Sequence, residues 1–158
     1  MKNIVVRYAK KSDFESINEI RKQVNDLHSD NRPDMFKKGF GNEIKEQVNK
    51  FLANENSDII VATIDGNVCG FAFIEYISTG ESIYCNPIKF YHIMEFGVDE
   101  NYRRMGVATN IINFCKEESK AKGFNRIALD MWSFNENAEK FYESVGFKTY
   151  RKHMEMFI

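Results

Sequence analysis

Two apolar runs, residues 58–64 and 68–76, are separated only by Asp65-Gly66-Asn67. An Asp-Gly turn between such runs is a strong hairpin signal, so the spacing predicts two antiparallel strands. That pair constrains the rest of the chain, because every other element must be fitted to the sheet it starts.

Upstream, residues 4–8 are short, apolar and β-branched and read as a first strand, while Ser12 and Asp13 offer caps for a helix with apolar positions Ile17, Ile20 and Val24. Residues 25–40 mix turn formers with aromatics and read as an irregular functional loop. A second helix is predicted over 43–52, with Ile44, Val48, Phe51 and Leu52 on one face. Downstream, strands are predicted over 90–98, 126–132 and 147–156, and helices over 109–122, closed by Gly123, and around Ala138, Phe141, Tyr142 and Val145, stopped by Gly146. Strands first antiparallel and then alternating with helices imply an α/β fold: a mixed central β-sheet with helices on both faces. No repeat or linker interrupts this order, and 158 residues fit a single domain over 1–158.

Composition excludes several classes of function. The formal net charge of -1 gives no general attraction to nucleic acid or to an anionic membrane, so any anion site must be local. Cys69, Cys85 and Cys115 are odd in number and lack a Cys-x-x-Cys pair, which argues against a disulfide framework or a metal site; they read as reduced core thiols. The opening residues hold no apolar run of signal-peptide length and no stretch approaches a membrane span, so a cytoplasmic location is expected.

The local anion site is legible between a strand and a helix, where the chain reads Arg103-Arg104-Met105-Gly106-Val107-Ala108-Thr109. A helix start exposes unpaired N–H groups and a partial positive charge. Gly106 and Ala108 let a ligand approach that backbone, and two guanidinium groups match phosphate oxygens. Taken alone, this is either a phosphate cradle or a surface turn with solvated arginines. The rival cradle Gly-x-x-x-x-Gly-Lys-Ser/Thr is absent, and Gly39-Phe40-Gly41 lacks the third glycine of a dinucleotide loop.

Residues 103–108 resemble the acyl-CoA pyrophosphate loop, Gln/Arg-x-x-Gly-x-Gly/Ala, of the GNAT superfamily of N-acetyltransferases. Asn135-Glu-Asn-Ala-Glu-Lys-Phe-Tyr-Glu-Ser-Val-Gly-Phe147 resembles its second signature, Asn-x-x-Ala-x-x-Phe-Tyr-x-x-x-Gly-Phe. Both occur in the family's order, and the likeness covers almost the whole chain, weakest over 28–56. It implies the GNAT fold, with a splay at the acetyl-CoA-binding strand, here residues 90–98. Backbone groups of Phe96, Gly97 and Val98 would hold the pantetheine arm and polarise the thioester carbonyl. Gly97 fits either a bulge that opens the splay or plain close packing. Residues Arg103 to Thr109 would bind the pyrophosphate. Asn135 and Ala138 would line the other side of CoA, unless Asn135 simply caps the last helix.

The resemblance places Tyr142 near the CoA sulfur, where a phenol can protonate the leaving thiolate. Its alternative is a core position on the stripe shared with Ala138 and Val145. Two residues compete as the base: Glu95, favoured as facing the acceptor, and His92, which titrates in the right range unassisted. Strict alternation puts the two on opposite faces of their strand unless a bulge falls between them. In the loop over 25–40, Asp30 and Asp34 could receive a cationic amine, or are solvated carboxylates; Asp130 and Trp132 fall on one face of the following strand and could reach the cleft.

The function implied is transfer of an acetyl group from acetyl-CoA, with no metal, to the amine of a small molecule or a peptide by direct attack, without a covalent intermediate. A non-catalytic acyl-CoA-binding regulator of the same fold is the alternative. Dimerisation is open, and residues 148–158 could form an internal strand or part of such an interface.

Overall fold

The computed structural model describes residues 3–158; Met1 and Lys2, the first two residues of the opening segment read above, lie outside the described residues. Five strands form one sheet in chain order: β1 (Ile4–Tyr8), β2 (Ser57–Ile64), β3 (Asn67–Thr79), β4 (Ile88–Val98) and β5 (Ile127–Leu129). The first four pair antiparallel, and β5 runs parallel to β4. The hairpin between β2 and β3 turns at Asp65 and Gly66, with φ of 51° and 83°, the double positive turn that suits the twist of paired strands.

Helices cover both faces. On one, α1 (Phe14–Asn31) and α2 (Asn42–Leu52) enclose Ile17, Ile20, Val48, Ile59, Val61, Phe71 and Phe73. On the other, α3 (Val107–Ala121) and α4 (Glu136–Ser144) cover a larger core that includes Ile60, Ile74, Tyr91, Ile93, Ile111 and Cys115. Bidentate bonding of Arg7 on β1 to Asp13, at 2.7 and 2.9 Å, ties the entry of α1 to the sheet and holds the Asp13 carboxyl below the usual carboxylate range.

Several sequence expectations are corrected. The segment over 25–40 is helical as far as Asn31, and the helix ends where Pro33 forces Arg32 out of the helical region, to φ −132° and ψ 65°. The strand expected over 126–132 stops at Leu129, so Asp130 and Trp132 lie beyond it. Residues 147–156 form no strand: a period-2 pattern needs a ladder partner, and among the described residues the Phe147 amide donates back to the Tyr142 carbonyl at 3.0 Å, while the residues after it are held by side chains, Glu155 to Arg32 at 2.8 Å and Arg151 to Asp130 at 3.8 Å. Cys69 and Cys115 are buried thiols, but Cys85 is exposed in the loop after β3.

Gly97 is a packing glycine and not the bulge. A Cβ there would lie 2.8 Å from Phe71, 3.0 Å from Val24 and 3.1 Å from Ile20, all in the seam between α1 and the sheet. Gly97→Ala is therefore expected to cost about 1–3 kcal/mol by overpacking. A lower urea midpoint with an unchanged m-value would show it; an unchanged midpoint would mean that the seam gives way freely.

Candidate active site

At the start of α3, positive φ at Arg104 (64°) and Gly106 (83°) curls the chain before the helix begins. A non-glycine residue at positive φ is uncommon and costly, so this curl is held by its surroundings. Gly106 is the N-cap residue and brings no side chain to cap with, and no acidic residue stands in the first turn. Among the described residues the amides of Val107, Ala108 and Thr109 consequently have no acceptor. Arg103 and Arg104 flank them, both exposed. Gly70 on β3 seats this helix start: a Cβ there would meet Val107 at 2.8 Å and Ile111 at 3.0 Å. The uncapped amides are thus fixed beside the C-terminal end of β4.

The helix start of α4 is built differently. Asn135 Oδ1 accepts the amide of Ala138 at 3.2 Å, so this asparagine caps its helix and the Ala138 amide is already used.

Between these two helix starts the sheet opens. Strand β4 pairs with β5 only through Tyr91, His92 and Ile93, whereas it stays on β3 as far as Val98. From Met94 onward its other edge has no strand beside it among the described residues. The opening coincides with a bulge, since Phe73 faces Glu95 and Ile74 faces Ile93, leaving Met94 as the extra residue.

That bulge decides the geometry of the two base candidates. It falls between His92 and Glu95, so both sit on the α1 side, opposite Glu75 and Phe73 of β3, while Phe96 turns to the α4 side. Both are engaged. Arg21, 4% exposed, donates to Glu95 Oε2 at 2.8 Å and Oε1 at 3.0 Å. His92 Nδ1 lies 3.0 Å from Glu75 and Nε2 lies 3.6 Å from Asp130.

Tyr142 of α4 stands against Phe96, with ring centroids 6.1 Å apart, and against Phe147 at 5.6 Å. Its hydroxyl has no hydrogen-bond partner among the described residues, yet it is not sealed from solvent. Burial pushes the phenol up to about 12, so the group carries its proton throughout the neutral range.

The proposed acceptor carboxylates are neutralised by neighbours. Asp34 receives two bonds from Arg32, at 2.9 and 2.7 Å, which hold it below the carboxylate range, and Asp30 lies 3.8 Å from Lys38. Trp132 belongs to an aromatic group outside both cores, with His28 of α1, Phe36 of the following loop, and Phe134. Two cavities flank the region. One of about 310 Å³ is lined by Gln47, Phe51, Phe73, Met94 and Glu95, and one of about 290 Å³ by Leu27, Asn31, Phe134 and Asn135. Sequence reasoning missed Arg21 and His28. Taking the helical period three residues back and four forward from Val24 would have placed both beside it on the face that meets β4, since Val24 itself lies against Gly97.

Residues 21–147 match the Acetyltransferase (GNAT) family. In sequence, no curated protein matches significantly. In fold, the chain is similar to a mutant of the BH1408 protein from Bacillus halodurans, at 24% identity and a TM-score of 0.93 over 98% of this chain and 99% of that one. It is also similar to a transcriptional regulator from Bacillus halodurans, at 18% identity and TM-score 0.72 over 99% and 100%. The aminoglycoside N-acetyltransferase AAC(6')-Iy in complex with CoA superposes at 18% identity and TM-score 0.78 over 100% and 96%. A mixed sheet that splays beside an uncapped helix start, together with the family match over most of the chain, defines an acetyltransferase-type domain. This chain belongs to the GNAT family.

Proposed function

We propose that this chain transfers the acetyl group of acetyl-CoA to the amine of a small molecule or peptide by direct attack on the thioester. The observation that carries the reading is the set of uncapped amides at Val107, Ala108 and Thr109, flanked by Arg103 and Arg104 and fixed beside an open strand edge. An uncapped helix start with adjoining guanidinium groups suits a pyrophosphate, and Met105 and Gly106 complete the curl that lets it approach. The open edge of β4 at Phe96, Gly97 and Val98 offers backbone donors and acceptors to an extended arm, as an added strand would use them. A donor of that stretch lying near the carbonyl stabilises the oxyanion as the amine adds. Tyr142 then supplies the proton that the departing thiolate needs. Asn135 acts through the helix it caps, keeping Ala138 and Tyr142 in place beside CoA. That AAC(6')-Iy was obtained with CoA supports the choice of donor.

The test is thiol release from acetyl-CoA in the presence of simple amines, with CoA affinity measured separately by calorimetry. Wild type is expected to release thiol only when an amine is present. The double variant Arg103→Ala/Arg104→Ala is expected to weaken CoA binding by about 10–100-fold, as loss of charge-assisted bonds worth about 1.5–3 kcal/mol would. CoA binding unaffected by the double change would remove the cradle. Tight CoA binding without thiol release from any amine would favour a non-catalytic acyl-CoA sensor, the reading that the likeness to a transcriptional regulator keeps in view.

A further inference from the structure

Two polar groups near the splay are left without partners, and they lie on opposite faces of β4. One is the Tyr142 hydroxyl on the α4 side. The other is the imidazole of His28, one turn beyond Val24 on α1: among the described residues neither ring nitrogen is hydrogen-bonded, and neither is sealed from solvent. By contrast, Glu95 has both oxygens taken by Arg21, and His92 is shared between Glu75 and Asp130.

The surroundings of His28 are aromatic. Its ring centroid lies 5.1 Å from Phe36, 6.0 Å from Phe134 and 6.5 Å from Trp132. These three rings come from outside the helix, and one of them, Phe134, also lines the cavity at Leu27 and Asn31. Of the charges around the group, Glu95 is matched by Arg21, and Arg32, whose guanidinium lies 5.7 Å above Trp132, by Asp34 and Glu155, whereas Glu136, at the start of α4 and lining the same cavity, has no ion-pair partner among the described residues. Such a site offers flat apolar walls, one free lone pair and a single unpaired carboxylate, which suits one cationic amine on an apolar body better than the several charges of a polycation.

We propose that His28 takes the proton from the acceptor amine, and that the acceptor is a monoamine carried on an aromatic or similarly flat apolar body held between Phe36, Trp132 and Phe134. This rests on the acetyltransferase reading above. The amine lone pair forms the N–C bond to the thioester carbonyl carbon. Its proton passes to a ring nitrogen of His28, the C–S bond breaks as the intermediate collapses, and the thiolate takes the Tyr142 proton. Solvent then removes one proton from His28 and returns one to Tyr142, so the net products are amide and free thiol. Burial lowers the affinity of His28 for a proton, against a weaker opposing pull from the Glu95 charge, which keeps the imidazole neutral and basic at pH 7.

The closing experiment uses 2-phenylethylamine and spermidine as probes. Trp132 is the only tryptophan, so its emission reports amine binding without turnover. The expected results are a saturable emission change with 2-phenylethylamine and none with spermidine. In kcat/KM an acid limb should lie below the ordinary histidine value of 6.5. For His28→Gln, kcat/KM should fall about 100-fold or more and lose that limb, while 2-phenylethylamine binding, CoA binding and melting temperature stay near wild type. In His28→Ala, added imidazole should restore part of the rate, which a merely structural role would not allow. Retention of the rate and the acid limb in His28→Gln would overturn the base, and preference for spermidine would overturn the acceptor class. Failure of wild type to bind CoA in calorimetry would instead overturn the acetyltransferase reading, and this inference with it.

Discussion

Tyr142→Phe is expected to lower the rate of acetyl transfer by about 10²–10⁴, the range for removal of a positioned general acid, with CoA affinity and thermal stability close to wild type. The hydroxyl bonds to nothing, so removing it strands no partner, and the ring keeps its contacts with Phe96, Phe141 and Phe147. A phenol raised to about 12 gives up its proton to water poorly, and in the proposed reaction it would share that proton with the thiolate. The effect is expected in kcat and not only in KM, because in the proposed reaction the group would act after the amine has added. Single-turnover measurement is the decisive readout, since slow product release could hide a chemical step in the steady state. A single-turnover rate within a factor of two of wild type would assign thiolate protonation to solvent and leave Tyr142 as a wall of the splay.

What could be read from the sequence divides along physical lines. The uncapped helix start over 103–109 was legible because it is a local feature: its free amides come from consecutive residues, and the glycine that shapes it stands among them. Asn135 was legible as a cap for the same reason. The position of the bulge was not, because Met94 becomes the extra residue only through the register that β3 imposes on β4. Without that register the faces of His92 and Glu95 could not be assigned. The segment over 147–156 carried a strand pattern, but periodicity reports which side chains can share a face and says nothing about whether a neighbouring backbone is free to pair. Arg21 was hidden in another way: a charged residue among apolar helical positions looks like an exposed one until Glu95 arrives from a strand 74 residues downstream.

The same non-local logic governs the far end of the sheet, where the largest loss of stability is expected. Glu118 of α3 is 8% exposed, and its carboxylate accepts hydrogen bonds from the hydroxyls of Tyr8 on β1 and Tyr91 on β4. Tyr76 of β3 stands 3.1 Å away, but its single proton serves the nearer Asp58, at 2.6 Å. Lys122 completes the surroundings, 3.9 Å from the carboxylate and 4.9 Å above the Tyr76 ring. Glu118→Ala removes an acceptor shared by two phenols and leaves the buried Tyr91 hydroxyl without a partner. Adding the lost charge-assisted bonds to that desolvation gives a cost of about 3–5 kcal/mol. Tyr91→Phe should cost less, because it leaves Tyr8 bonded, and combined with Glu118→Ala it should add little: a double-mutant cycle is expected to return a coupling of about 1–3 kcal/mol. The pH dependence has a definite sign. Burial raises the Tyr91 phenol above its unfolded value near 10, so its contribution is complete below that pH and is lost as the pH rises past it. Urea denaturation at pH 7 and above pH 10 reads both effects; a Glu118→Ala loss below about 1 kcal/mol would mean that water replaces the carboxylate at no great cost, which the burial of Tyr91 argues against.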